Sequence, residues 1–326
     1  MKDIFNEKTI LITGGAGFLG SHIANYLVDC GAHVIIVDSL IPEYGGNQFN
    51  LRKIKGRAQV NYSDVRDSHG LRYLIQGVDY LFNLAGQSSH LDSMRNPFTD
   101  LEINCYSQLS ILEICREVNP DIKIIFASTR QIYGRPEYLP VDENHPVVPV
   151  DVNGINKSSG EMYHLLYNKI YNIRTCCLRM TNTIGPHMRV KDARQTFVGI
   201  WVKNLIEGKP IEVWGGEQIR DFTYVTDCVE AFLLAASHKG CDGHFFNIGG
   251  PKISLRELAE LMIKVNGGGK FVVKDFPEES KAIDIGDYYS NDEKFRVTTG
   301  WNPKYDLEGA ISETMAFYKN NLHHYL

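Results

Sequence analysis

The chain has 326 residues, 43% of them hydrophobic and 22% charged, with 34 Lys and Arg against 39 Asp and Glu and a net charge of −5. These values fit a globular protein of one large or two ordinary domains and exclude the basic footprint of a nucleic-acid binder or a polybasic membrane patch. No apolar run approaches the ~18 residues that span a bilayer, residues 1–8 lack a signal-peptide core, and seven cysteines without C-x-x-C spacing read as reduced thiols of a cytoplasmic protein.

Residues 8–13 form a short β-type run, and Gly14-Gly15-Ala16-Gly17-Phe18-Leu19-Gly20 turns from it into a helical pattern reaching about residue 30. A second strand, 33–37, ends at Asp38. Further strands are predicted at 59–62, 80–84, 123–127 and 175–178, with helical periodicity in most gaps, notably 97–118 and 157–170. Strands alternating with helices imply a parallel sheet covered on both faces. Beyond about Arg179 the alternation becomes irregular: a helix at 193–207, a short strand at 210–214, and helices at 227–236 and 254–265. Ser254 and Glu257 form a capping box at the start of the last helix, and Gly267-Gly268-Gly269 reads as a loop tip. The expected fold is α/β, a Rossmann-type doubly wound parallel sheet with a smaller mixed α/β C-terminal part. Residues 1–178 make the first domain, with 219–249 returning to it, and 179–326 make the second.

Glycines 14, 17 and 20 follow a strand and open a helix. The first permits a tight turn, the second lets the backbone approach a pyrophosphate, and the third lets helix and strand pack closely. The helix N-terminus, beginning near Phe18 and Leu19, offers free N–H groups and a positive dipole end to phosphates. Asp38, 18 residues beyond Gly20, can accept hydrogen bonds from a ribose diol and would repel a 2′-phosphate, which selects NAD over NADP. Asp64 and Val65 follow the third strand, where a carboxylate can reach an adenine amine.

This spacing, with the segments that follow, resembles the extended short-chain dehydrogenase/reductase family, and within it the NAD-dependent nucleotide-sugar epimerases and dehydratases such as UDP-glucose 4-epimerase. The resemblance covers residues 8 to about 318. It implies that Asn83-Leu84-Ala85-Gly86-Gln87 lies along the cofactor, through Leu84, Ala85 and Gln87, and that the loop with Ser89 and His90 touches the sugar. Ala127-Ser128-Thr129-Arg130-Gln131-Ile132-Tyr133-Gly134 is similar to the segment whose second hydroxyl residue, here Thr129 beside Ser128, hydrogen-bonds the reacting sugar hydroxyl. Dehydratases of the 4,6 type carry acidic residues beside that threonine, where this chain has Arg130-Gln131.

The family's Y-x-x-x-K pair sits on one helix face, four residues apart. Its lysine holds the nicotinamide ribose and lowers the phenol's pKa so that the phenolate takes the hydroxyl proton. Lys157 and the following Ser158-Ser159-Gly160-Glu161 fit, but position 153 is Asn, which cannot exchange a proton near neutral pH. Three readings follow: an epimerase whose proton transfer is reassigned, a protein that binds NAD and nucleotide sugar without full turnover, or a dehydratase, decarboxylase or reductase on the same scaffold. Candidates for the reassigned group are His90, Asp92, Asp151, and a water held by Asn153 and Thr129.

On the substrate side, Arg179-Met180-Thr181-Asn182-Thr183-Ile184-Gly185-Pro186 and Arg220-Asp221-Phe222-Thr223-Tyr224-Val225-Thr226-Asp227 resemble family signatures. They imply that Asn182 and Arg220 bind the substrate diphosphate, Arg220 with a bidentate fork. Arg189 in the intervening loop could face phosphates, and Asp284 ends a segment similar to the family's R-x-G-D. The resemblance implies a UDP- or dTDP-linked sugar as substrate and a homodimer built on helices 99–118 and 153–170. No metal is called for.

Overall fold

The computed structural model describes residues 2–44, 46–194 and 196–326. Its strands are β1 Thr9–Thr13, β2 His33–Val37, β3 Gln59–Asn61, β4 Tyr80–Asn83, β5 Lys123–Thr129, β6 Arg174–Met180, β7 Asn182–Ile184, β8 Ile211–Trp214, β9 Ile219–Tyr224, β10 His244–Ile248, β11 Lys252–Ser254 and β12 Phe271–Lys274. Seven of them form one sheet in the order β10-β6-β5-β4-β1-β2-β3, and every pairing in it is parallel. Parallel strands need covered faces, and β1 shows how the sequence provides them. Ile10 and Ile12 enter one apolar core while Leu11, pointing the other way, enters a second. The α/β, doubly wound architecture is therefore the one expected from the alternating pattern. The smaller part is mixed: β7 runs parallel to β9, β11 antiparallel to it, and β8 pairs with β12.

The strand order reverses between β1 and β4, so loops leaving their C-terminal ends part and open a crevice there. That crevice receives the loop after Thr13, the loop after Asn83 and the end of β5 at Thr129. β10, late in the chain, closes the edge of the sheet beside β6. Among the described residues no helix is long and apolar enough to cross a membrane.

Three local departures from the sequence pattern bear on the crevice. Residues 97–118 are helical throughout, as expected, but not uniformly α: helices Pro97–Leu101 and Ser107–Val118 are joined by a π-helical turn, Glu102–Tyr106. Side chains fill that widened turn, Ser107 Oγ donating to Ile103 O at 2.6 Å and Gln108 Nε2 to the same carbonyl at 3.1 Å. The helix expected at 157–170 begins earlier, as Val152–Tyr171, because Asp151 caps it by accepting from Gly154 N at 2.6 Å. A short helix, His90–Arg95, capped by Ser89, stands where no helix was expected. Of the helix expected at 193–207, residue 195 lies outside the described residues and the observed helix is Phe197–Ile206.

Candidate active site

The glycine turn has the shape a dinucleotide needs. A Cβ on Gly20 would meet Gly14 O at 2.2 Å, and Gly14, at φ +68°, would place one 3.0 Å from the Ala85 backbone. Gly17 caps the helix Phe18–Asp29 with no side-chain bond to its free N–H groups, which are left for an anion. Asp38 is buried, accepting from Ala16 N and Leu40 N at 2.9 Å each, and burial raises its pKa against the lowering effect of those two bonds. Asp64 is held below the ordinary carboxylate range by hydrogen bonds from Arg66, whose guanidinium forks onto it. These residues, with Val65, Leu84, Ala85 and Gln87, line one cleft, and its donors, cradle and carboxylates fit NAD.

The same cleft continues past Ser128, Thr129, His90, Asn153, Lys157 and Asn182. Thr129, the last residue of β5, accepts from Gln131 N at 3.2 Å. Ser128 Oγ is buried with no partner among the described residues. Lys157 Nζ donates to Ala127 O at 3.1 Å and lies 5.0 Å from the Phe126 ring centroid. Burial pushes its pKa down to about 8, opposed by the charge of Asp100.

Asn153 is 3% exposed, and its surroundings give it a definite orientation. Nδ2 donates to Gln87 O at 2.8 Å and to Asp100 Oδ2 at 3.1 Å. Exchanging amide N and O would set an oxygen against a carbonyl and a carboxylate, so the assignment follows from the network. The amide thus has only its acceptor, Oδ1, left for the cleft. Asp100 is the hub: fully buried, it also accepts from Asn156 Nδ2 at 2.7 Å and Asn104 Nδ2 at 3.0 Å. Three amides satisfy one buried carboxylate, and none of them carries charge.

His90 lies at the start of its helix with Nδ1 2.9 Å from Asp151 Oδ2; the His90 side chain is 37% exposed and that of Asp151 is at 0%. Asp151 is fixed further by Gly154 N and by Gln131 Nε2 at 3.0 Å. Burial alone would raise its pKa, but the His90 imidazole and these donors together outweigh it and hold it below the usual range.

The remaining predicted side chains lie outside this cleft. Ser89 is a helix cap and is buried. Arg189 forks onto Asp192 at 2.6 Å. Arg220 donates to Ile219 O at 3.0 Å, to Gly286 O, and to Asp284 Oδ1 at 3.3 Å. Burial, then the charge of Arg130, lowers the Arg220 pKa to about 10. Asp284 returns the contact from a loop that also holds Gly286 N at 3.0 Å. Sequence reasoning missed Asp100, Asn104 and Asn156. The available signal was polar residues at helical spacing, Asp100 with Asn104 and Asn153 with Asn156, on faces that the apolar pattern marks as buried.

The model of the family described as "NAD dependent epimerase/dehydratase family" matches residues 10–249. A protein of Methanocaldococcus jannaschii, provisionally named a UDP-glucose 4-epimerase, is 35% identical over 316 residues, 96% of this chain and 99% of its own. A UDP-glucose 4-epimerase of Thermotoga maritima, solved with UDP-glucose, superposes with a TM-score of 0.88 at 30% identity over 96% of this chain and 99% of that one. The UDP-glucose 4-epimerase of Thermus thermophilus in complex with NAD gives 0.86 at 28% identity over 95% and 99%. The glycine cradle, Asp38 and Lys157 thus lie in a chain that belongs to the NAD-dependent epimerase/dehydratase family and uses NAD as its cofactor.

Proposed function

We propose that the protein is a nucleotide-sugar epimerase, acting at C4 of a UDP- or dTDP-linked sugar, in which His90 replaces the family's phenol as acid and base. One observation carries this: an imidazole lining the same cleft as Thr129 and Lys157, with Nδ1 2.9 Å from a buried carboxylate. NAD bound in the cleft supplies hydride acceptance and return.

The chain's own residues do the rest. Thr129 Oγ1 receives the sugar hydroxyl. The Asp151 carboxylate, 2.9 Å from Nδ1, faces that side of the imidazole, so the far nitrogen, Nε2, is the one to take that hydroxyl's proton and give it back. Asn153 Oδ1 accepts a hydrogen bond and orients the hydroxyl without exchanging its proton. Lys157, buried and cationic, grips the nicotinamide ribose. Asn182, with Arg220 once it leaves Asp284, takes the diphosphate, and Arg189 braces the loop between them. We assign NAD to residues 1–178 with 219–249, and the sugar nucleotide to the remainder of 179–326.

Homodimerisation is part of the same proposal. Phe98, Tyr106 and Met162 are 75%, 65% and 66% exposed on the helices that flank the cleft, and Leu166 and Ile170 extend the apolar stripe.

The test is a panel of UDP- and dTDP-sugars with NAD-loaded protein, following C4 stereochemistry and NADH absorbance. His90→Asn is expected to lower kcat by roughly 10²–10⁴ while leaving the dissociation constant within about twofold. A variant that turns over at the wild-type rate removes His90 from the role. Tight binding across the panel without product would instead mark a binding protein.

A further inference from the structure

Arg130 follows Thr129 in the chain and lines the same cleft, yet its charge has no counterpart. Among the described residues its guanidinium makes no hydrogen bond and no ion pair, and Nη1 is wholly enclosed without a partner. Its guanidinium stands over the ring of Tyr288, with Cζ 5.0 Å from the ring centroid. The nearby carboxylates act on it only through longer-range charge. Asp221 is occupied by the Thr181 hydroxyl and by Ser290 N at 2.9 Å, Asp284 by Arg220 and Gly286 N, and Asp151 by His90 and its helix cap. Burial accordingly lowers the Arg130 pKa. A desolvated guanidinium left unpaired is costly, and a fork of donors matches a carboxylate in geometry and charge.

Resting on the nucleotide-sugar reading above, we propose that Arg130 is the receptor for a carboxylate on the sugar, so that the substrate is a nucleotide-diphosphate hexuronic acid. A neutral hydroxyl would accept one hydrogen bond and leave the charge unbalanced. The diphosphate is the other anion within the cleft's reach, but Arg220 already serves as its expected partner. After burial, the charge of Arg130 also lowers the Arg220 pKa, which places a second, separate cation near the one expected to meet the diphosphate.

Calorimetric titration of the NAD-loaded protein with UDP, UDP-glucose and UDP-glucuronate decides the matter, with dTDP carriers used if only dTDP binds. The wild type is expected to bind the uronate roughly tenfold to a hundredfold tighter than the neutral hexose, the range of one charge-assisted fork. Arg130→Gln is expected to abolish that preference and leave UDP and UDP-glucose within about twofold. Should Arg130→Gln fail to fold, Arg130→Lys keeps the charge without the fork and is expected to retain part of the preference. Equal loss for all three ligands would make Arg130 a diphosphate ligand and overturn the proposal, as would a wild type without preference. Binding of neither UDP nor dTDP would overturn it together with the nucleotide-sugar reading beneath.

Discussion

Lys157 gives the sharpest quantitative test, because its function and its contribution to stability have opposite signs. In the folded chain its pKa lies at about 8, against the ordinary 10.5, with burial as the main cause. That difference corresponds to about 3 kcal/mol by which folding disfavours the ammonium at neutral pH. Lys157→Met removes the charge, keeps an apolar stem against Phe126, and gives up the bond to Ala127 O, worth about 1 kcal/mol. NAD-free Lys157→Met is therefore expected to be about 2 kcal/mol more stable than the wild type at pH 7, or about 3 °C in Tm.

The pH dependence has a fixed sign. Below about pH 8 both folded and unfolded wild-type chains carry the proton, and the penalty is fully present. Between about 8 and 10.5 the unfolded chain binds more protons than the folded one, so wild-type stability rises with pH relative to the variant. Urea midpoints at pH 7 and pH 10 measure this, and the variant's advantage should shrink across the interval. A variant less stable than the wild type at pH 7, or a difference that does not move with pH, would refute the reasoning. The same variant should bind NAD less tightly.

Asn153→Tyr removes both Nδ2 bonds, to Gln87 O and Asp100 Oδ2, and should lower stability by about 1–3 kcal/mol in a thermal melt and lower turnover as well. A rate above wild type would show that the cleft lacks only a phenol. Glu161→Gln leaves Arg179, 4% exposed and forked onto Glu161, with an uncompensated charge. A loss of about 3–5 kcal/mol is expected in the denaturant midpoint, and a loss under 1 kcal/mol would mean that solvent screens the pair.

The parts of the site legible in the sequence are those whose chemistry is local. Glycines at 14, 17 and 20, Asp38 at a strand end, and Asn153 four residues before Lys157 each declare a geometry within one turn or one element. The fold was legible for the same reason, since apolar runs alternating with helical periodicity admit few other layouts. The π turn at Glu102–Tyr106 was not, because apolar spacing cannot separate 3.6 from 4.4 residues per turn over so short a stretch. Nor were the buried partnerships. Asp100 meets Asn153 and Asn156 across 53 and 56 residues, and Asp151 meets His90 across another helix boundary. Arg189 and Arg220 show the converse: motif spacing places their charge near phosphates, while Asp192 and Asp284 engage them in the folded chain.

Asn153 is best understood from Asp100 outward. A buried carboxylate needs donors on its oxygens, and a carboxamide supplies one without adding charge. A phenol ring in that place would set an apolar edge against Asp100 Oδ2 and Gln87 O, two acceptors that the amide now satisfies. The family's usual lysine works beside a phenolate; here the negative charge that favours protonated Lys157 is the Asp100 carboxylate. With Lys157 compensated from that side, no negative phenolate is needed beside it, which is compatible with the proposal that the proton is moved elsewhere in the cleft, by His90. The amide at 153 and the carboxylate at 100 are thus two halves of one arrangement, the amide supplying one of the carboxylate's donors and the carboxylate helping to fix the amide's orientation.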